Sequence, residues 1–334
     1  MERDMVSNKP KIFYNSFAPQ EIYDLFLEAA GDDFDIVTLR ADDDQERYRK
    51  IADCDGVIVA GYKLTDAHIN AAERLRVVHH QGVGWHDTTD WQTLKERHIR
   101  LAINLAGSTV SVAEHTILLI LAASKHTVYA DNQLREGRWL VNDLRMQSRE
   151  LAQMKVGLLG MGRIGSLVAM RLANFGCDIS YCDPYVTKDD AFTKQYKVRK
   201  VSFDELIEQN DVISLHLPRM ESTRNIISAD IIRQMKPASI FINAARGGLV
   251  DEIALDKALR DGHLTSAGLD VFDDEPINMD NPLLTNPKVI LSPHIAAGTK
   301  DATEQKIASV IQNLKQYFDS ETLDNEVDLQ AHQD

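Results

Sequence analysis

The chain has 334 residues, 44% of them hydrophobic and 26% charged, with a formal net charge of −14. That length suggests about two domains, and the composition is ordinary for a globular protein with sizeable cores. The negative charge, with no lysine- or arginine-rich block, argues against nucleic acid or an anionic membrane as a partner.

Cys54, Cys177 and Cys182 are sparse and lack metal-ligand spacing, so no disulfide framework and no metal site is expected. Met1-Glu2-Arg3-Asp4 opens no signal-peptide apolar region. The longest apolar run, residues 117–123, is far short of the roughly 18 needed for a membrane span. A soluble, cytoplasmic protein is expected.

In chain order, residues 11–14 read as a strand and 19–30 as a helix stopped by Gly31. Residues 34–39 form the next strand, and Asp42-Asp43-Asp44 opens a charged helix. Residues 56–60 are a buried strand ending at Gly61, and Thr65-Asp66 starts a helix over 65–73. Residues 76–80 are a strand followed by the turn Gln81-Gly82-Val83-Gly84. A short helix near 90–96 and a strand over 100–104 complete the series. Strands alternating with helices imply parallel pairing and right-handed crossovers.

Residues 105–109 read as a small-residue hinge, and 109–128 as a strongly apolar helix. The mixed segment 125–150, which carries Trp139, is either an arm reaching a partner subunit or a surface connector. Then comes Val156-Gly157-Leu158-Leu159-Gly160-Met161-Gly162-Arg163-Ile164-Gly165, a strand, a glycine turn and the start of a helix. Gly160, Gly162 and Gly165 have the G-x-G-x-x-G spacing, and Asp183 follows a second strand over 179–182. This is a dinucleotide fingerprint in its proper context. Gly160 allows the tight turn, Gly162 the approach of a pyrophosphate, and Gly165 the close packing of helix on strand. Asp183 can accept from both ribose hydroxyls and repel a 2′-phosphate, which favours NAD over NADP.

Later strands are expected over 211–217, 239–243, 266–271 and 289–291. Ser202 and Asp251 begin helices, and Gly262 stops the second. An amphipathic helix over 301–318 follows, and the last sixteen residues are expected to fray.

Three strand ends carry unusual combinations. Arg246 lies in Asn243-Ala244-Ala245-Arg246-Gly247-Gly248, and its planar fork suits a carboxylate. Gly268 to Pro276 runs out into acids, of which Asp273 and Asp274 read as merely solvated. His294 sits in Ser292-Pro293-His294. Hydride transfer to a 2-oxo acid needs a cation for the carboxylate, a proton donor for the alkoxide, and a group that sets the donor's pKa.

With these segments the sequence resembles the D-isomer-specific 2-hydroxyacid dehydrogenase family, over about residues 51–315. The resemblance implies NAD as cofactor, a 2-oxo/2-hydroxy acid substrate, catalytic Arg246, Glu275 and His294, and a homodimer. Glu275 would hydrogen-bond the imidazolium and raise its pKa. Gly82-Val83-Gly84 looks like the substrate loop, whose N–H groups, with Arg246 and His294, hold the substrate. Asp270 would lie near the nicotinamide carboxamide. Thr109, Arg163, Ile164, Ala244, His216, Pro218 and Gly298 would be further cofactor contacts.

The implied fold is α/β, with two doubly wound parallel-sheet domains and a cleft between them. A flavodoxin-like substrate domain would comprise 1–107 and 300–334, and a Rossmann NAD-binding domain 108–299. His79-His80-Gln81 and Trp85-His86-Asp87 depart from the family pattern, suggesting a bulky or polar side-chain pocket or simply core packing of Trp85. Phosphite oxidation on the same scaffold and an NAD-sensing corepressor are the competing readings. Formate-type enzymes resemble the chain at Ser111-Val112-Ala113-Glu114-His115 but have a glutamine where Glu275 stands.

Overall fold

The computed structural model describes residues 9–331. The chain forms two compact units, one built from the chain up to Ser108 and from Lys300 onward, the other from Thr109–Thr299.

The first unit has a five-stranded parallel sheet, β1 (Lys11–Tyr14), β2 (Asp35–Val37), β3 (Gly56–Val59), β4 (Val77–His80) and β5 (Arg100–Ile103), in the order β2-β1-β3-β4-β5. Successive residues feed opposite faces. Phe13, Val57, Val59, Val78 and Leu101 pack on one side with Trp85 and Trp91. Ile12, Tyr14, Ile58, Val77 and Ala102 pack on the other. The helix Lys300–Ser320 closes that second face with Ile307, Val310, Ile311, Leu314 and Tyr317. Helix starts follow the expected chemistry: Asp43 accepts from Glu46 N–H at 2.8 Å and Thr65 from His68 N–H at 3.4 Å. Such caps contribute about 1 kcal/mol each.

The second unit has seven parallel strands, β6 (Lys155–Leu159), β7 (Asp178–Cys182), β8 (Val198–Lys200), β9 (Val212–Leu215), β10 (Ser239–Asn243), β11 (Leu264–Leu269) and β12 (Val289–Leu291). Their order is β12-β11-β10-β9-β6-β7-β8. The order reverses at β6, the strand that carries the glycine turn, and ligands collect at such switch points.

Four expectations change. The apolar helix spans Ser108–Ser124 and does not reach 128, because His126 turns left-handed at φ 53° before a second helix, Thr127–Arg135. β8 was not expected; only Val198 of its three residues is buried. β11 begins two residues earlier than the apolar pattern suggested. Most of the acidic tail does not fray. Val327 N–H donates to Leu101 O, Ile103 N–H donates to Asn325 O, and Arg100 pairs with Glu326 at 2.5 Å. Leu323 and Leu329 are buried. The tail therefore covers β5, an edge strand whose unpaired groups would otherwise stand open. Residues 332–334 of that segment lie outside the described residues.

Burial also fixes protonation. Cys54 and Cys177 are free and buried, and burial pushes their thiols up to about 12 and about 11. His79 is buried in β4, where its Nε2 accepts from Asn313 Nδ2 at 2.9 Å. Burial pushes its pKa down from 6.5 to about 4. Between those values the unfolded chain binds more protons than the folded one. The stabilisation is therefore full above pH 6.5 and is lost as pH falls toward 4. Lowering the pH from 7 to 5 should cost about 2 kcal/mol through His79 alone. Urea unfolding followed by the fluorescence of Trp85 and Trp91 reads this unit, and His79→Gln should flatten the slope by that amount. A slope unchanged in the variant would mean that His79 does not stay neutral in the fold.

Candidate active site

Nearly every singled-out residue of the second unit lies on the side of the sheet where the strands end. The turn after β6 holds Gly160, Gly162, Arg163, Ile164 and Gly165. Asp183 follows β7, His216 and Pro218 follow β9, and Ala244 and Arg246 follow β10. Asp270 and Glu275 follow β11, and His294 and Gly298 follow β12. Thr109 lies in the first turn of the helix Ser108–Ser124.

The glycine turn has the geometry its spacing suggested. Gly160 has φ 101°, and a Cβ there would stand 2.6 Å from the carbonyl oxygen of His216. A Cβ on Gly165 would overlap the carbonyl oxygen of Gly160. At Gly162 nothing lies within 4 Å of that position. Gly162 is the N-cap of the helix Arg163–Ala173, and no side chain caps it. Open backbone at an uncapped, dipole-positive helix start fits a pyrophosphate. His216, its ring held at pKa about 4 by burial, stays neutral beneath the turn.

Asp183 is more committed than expected. Its Oδ2 accepts from Met161 N–H at 2.8 Å, and its Oδ1 accepts from Tyr185 and Val186 N–H, both at 2.9 Å. A carboxylate has about four acceptor sites, so about one is left for a ribose hydroxyl where the sequence suggested two. The buried negative charge still opposes a 2′-phosphate.

Arg246, Glu275 and His294 come from β10, β11 and β12, three neighbouring strands. His294 Nδ1 lies 2.6 Å from Glu275 Oε2. Glu275 Oε1 accepts from Phe272 N–H at 3.0 Å. Burial acts to raise the Glu275 pKa. The hydrogen bonds from His294 and Phe272 and the positive charge of Arg246 outweigh it and leave the pKa lowered. Both side chains of the pair keep an exposed face, 44% for His294 and 36% for Glu275. Because Nδ1 faces the carboxylate, Nε2 is the ring nitrogen left to exchange a proton with a bound molecule.

The loops that carry these groups are fastened to one another. Gly247 packs so tightly that a Cβ would overlap the carbonyl oxygen of Phe272. Asp273 is exposed, as read from sequence, and it also accepts from Gly248 N–H at 2.6 Å. Asp273 N–H in turn donates to Glu252 Oε1 at 2.8 Å. Burial raises the pKa of Glu252, against the pull of that bond and one from Asn281.

Asp270 is fully buried. Its Oδ1 accepts from Ser292 Oγ at 2.6 Å and Ile295 N–H at 2.9 Å, its Oδ2 accepts from Ala296 N–H at 2.8 Å, and its carbonyl accepts from His294 N–H at 2.7 Å. These contacts make Asp270 a clamp on the His294 loop, at the strand end where the resemblance expects a neighbour of the nicotinamide carboxamide. His115 Nε2 lies 2.9 Å from Ser292 Oγ, and Ser111 Oγ donates to Ala296 O at 2.5 Å. Sequence reasoning gave Ser111 and His115 no role here. Their available signal was two polar residues at i, i+4 on one face of an apolar helix.

In the first unit, Gly82-Val83-Gly84 follows β4. Gly82 N–H donates to His80 Nδ1 at 3.0 Å, while Val83 and Gly84 N–H have no acceptor among the described residues. Trp85 is buried in the core, stacked on His86 and edge-on to Trp91. Core packing is thus the correct reading of Trp85.

A parallel sheet reversing at a glycine turn, with an acid after the next strand, defines a dinucleotide-binding α/β protein. Residues 117–296 match the family model described as "D-isomer specific 2-hydroxyacid dehydrogenase, NAD binding domain". The chain is 36% identical over 291 residues to a D-3-phosphoglycerate dehydrogenase of Mycobacterium leprae, covering 86% of this chain and 54% of that one. It is also 36% identical over 268 residues to a glyoxylate reductase of Korarchaeum cryptofilum, covering 79% and 80%. The structure of a D-lactate dehydrogenase from Aquifex aeolicus, complexed with NAD and lactic acid, superposes with a TM-score of 0.82. It is 30% identical, and the match covers 92% of this chain and 95% of that one. The chain belongs to the D-isomer-specific 2-hydroxyacid dehydrogenase family, and its cofactor is NAD. It spans about half the length of the D-3-phosphoglycerate dehydrogenases it matches.

The commitment of Asp183 to the main chain gives a direct expectation. Asp183→Ala removes three acceptor bonds together with the charge. NADH affinity should fall by roughly ten-fold or more, on about 1.5 kcal/mol or more for the lost charge-assisted bonds. The preference for NADH over NADPH should narrow. Fluorescence titration with both cofactors measures this, and an unchanged ratio would move selectivity away from Asp183.

Proposed function

We propose that the chain is an NAD-dependent oxidoreductase acting on a D-2-hydroxy acid/2-oxo acid pair. Residues 108–299 serve as the NAD-binding domain, and 1–107 with 300–334 as the substrate domain. The observation that carries the reading is the 2.6 Å contact of His294 Nδ1 with Glu275 Oε2, with the charge of Arg246 acting on the same carboxylate. NADH, when bound, supplies the hydride to the carbonyl carbon. His294 Nε2 gives a proton to the carbonyl oxygen and recovers it in the oxidation direction. Glu275, kept ionised by its lowered pKa, holds Nδ1–H and fixes the ring's tautomer and orientation. Arg246 binds the substrate carboxylate and polarises the carbonyl. Val83 and Gly84, whose N–H groups have no acceptor among the described residues, take the same carboxylate from the first unit.

A panel of 2-oxo acids with NADH, and of formate and phosphite with NAD, tests the reaction class. His294→Ala should lower turnover of the best substrate by roughly 10²–10⁴-fold while NADH still binds. Normal turnover would remove His294 from the chemistry.

The working form in this reading is a homodimer, and the three reduced cysteines suit the cytoplasm. The helices Thr127–Arg135 and Val141–Arg145 contain no buried residue. Leu134, Trp139, Val141 and Met146 are exposed at 54%, 76%, 49% and 88%. So much open apolar surface on one segment suits burial against a second copy. Trp139→Glu should weaken dimerisation by roughly ten-fold or more, since a buried aromatic anchor dominates such a contact. Light scattering across a concentration series reads the change, and an unaltered dimer would take this segment out of the interface.

A further inference from the structure

Between β4 and the helix Trp91–Glu96, one imidazole is tied to both sides of the Gly82-Val83-Gly84 turn. Gly82 N–H is only a donor, so the His80 Nδ1 that receives it at 3.0 Å must be bare. In the neutral ring Nε2 then carries the proton, and it donates to Thr88 Oγ1 at 2.9 Å. Thr88 Oγ1 can pass its own hydrogen to Gly84 O at 3.3 Å. The turn is fixed from the other side by Asn104, whose N–H donates to His80 O at 3.0 Å and to Gly82 O at 3.1 Å. Of three successive N–H groups, the first is therefore occupied, and the next two stand without a partner among the described residues.

We infer that His80 is a positioning residue for substrate. By accepting Gly82 N–H at a bare Nδ1 and holding Thr88 at Nε2, it sets the turn so that Val83 and Gly84 N–H converge on the substrate carboxylate. This rests on the reading above that the turn binds that carboxylate. A neutral acceptor suits the position. An aspartate could accept the same N–H, but its charge would repel the anion bound one residue on. An arginine or lysine has no acceptor to offer. The ring makes no bond to the reacting atoms. Its contribution is to binding, felt alike in ground and transition states, and so it should appear in KM rather than kcat.

The test compares three variants of the full chain with NADH and the best 2-oxo acid. His80→Leu removes the acceptor, and KM for the 2-oxo acid should rise about ten-fold, with kcat and NADH affinity within about three-fold of wild type. His80→Asn puts an amide oxygen where Nδ1 stood and should restore KM to within about three-fold of wild type. Val83→Pro removes one of the two open N–H groups and tests the turn itself. If Val83→Pro raises KM but His80→Leu does not, the inference about His80 fails and the carboxylate reading stands. If Val83→Pro binds NADH and leaves KM unchanged, the carboxylate reading fails. A His80→Asn variant as impaired as His80→Leu also overturns the inference. Should His80→Leu fail to fold, nitrogen NMR of histidine-labelled wild-type holoenzyme decides. A bare Nδ1 and protonated Nε2 on His80 support the inference, and a protonated Nδ1 overturns it.

Discussion

The second unit depends on one buried carboxylate. Asp270 has no exposed surface, and it gathers a hydroxyl and two backbone N–H groups from the loop after β12 while its own carbonyl takes a third N–H. Burying an ionised carboxylate costs several kcal/mol unless its acceptor sites are filled. Charge-assisted hydrogen bonds each contribute about 1.5–3 kcal/mol against that cost. A loop that left this group unpaired would therefore be strongly disfavoured. The same bonds hold His294 at φ 53°, a left-handed conformation that costs a non-glycine residue of order 1–3 kcal/mol. The His294 side chain, next to Glu275, owes its direction to an acid bonded to the backbone of its loop and not to its ring.

A second set of contacts joins the other two loops. Gly247 lies against the Phe272 backbone and Asp273 takes Gly248 N–H, so the arginine loop and the acidic loop move as one. Glu252, at the start of the helix Glu252–Arg260, takes Asp273 N–H and extends the attachment into the sheet's covering layer. The three loops thus arrive in register because β10, β11 and β12 are neighbours and because each loop is bonded to the next. Preorganisation of this kind removes the cost of ordering the groups at the moment of reaction.

Much of this was legible in the sequence, for a definite reason. Parallel strands buried on both faces are short apolar runs, and their ends are where polar residues reappear. Arg246, the acidic run that contains Glu275, and His294 are thus legible as three strand ends, whereas the choice of Glu275 within its run comes from the family resemblance. What was not legible came from partners far apart in the chain. His115 meets Ser292 across 177 residues, and Asp273 meets Gly248 across 25. No local pattern shows which exposed acid also takes a distant N–H. The tail failed for the same cause. Its polar composition hides two leucines that pack and a backbone that pairs with β5. β8 escaped notice because a one-sided edge strand with a single buried residue has almost no apolar signal.

The two glycine turns solve one problem by different means. On the function proposed above, each leaves some backbone N–H groups open for an anion while the rest are satisfied, since an unpaired buried N–H is costly. In the second unit the turn opens a helix, so a dipole adds to the attraction and a carboxylate, Asp183, can occupy the adjoining N–H of Met161. In the first unit only a short segment follows the turn before the next helix begins at Trp91. There is no dipole there to offset a nearby negative charge. A neutral imidazole then does what a carboxylate does elsewhere, taking one N–H out of play without charging the site against the ligand. The histidine that looked like a departure from the family pattern is in this light a consequence of where the turn lies. The choice of acceptor follows from the electrostatics of what comes next in the chain.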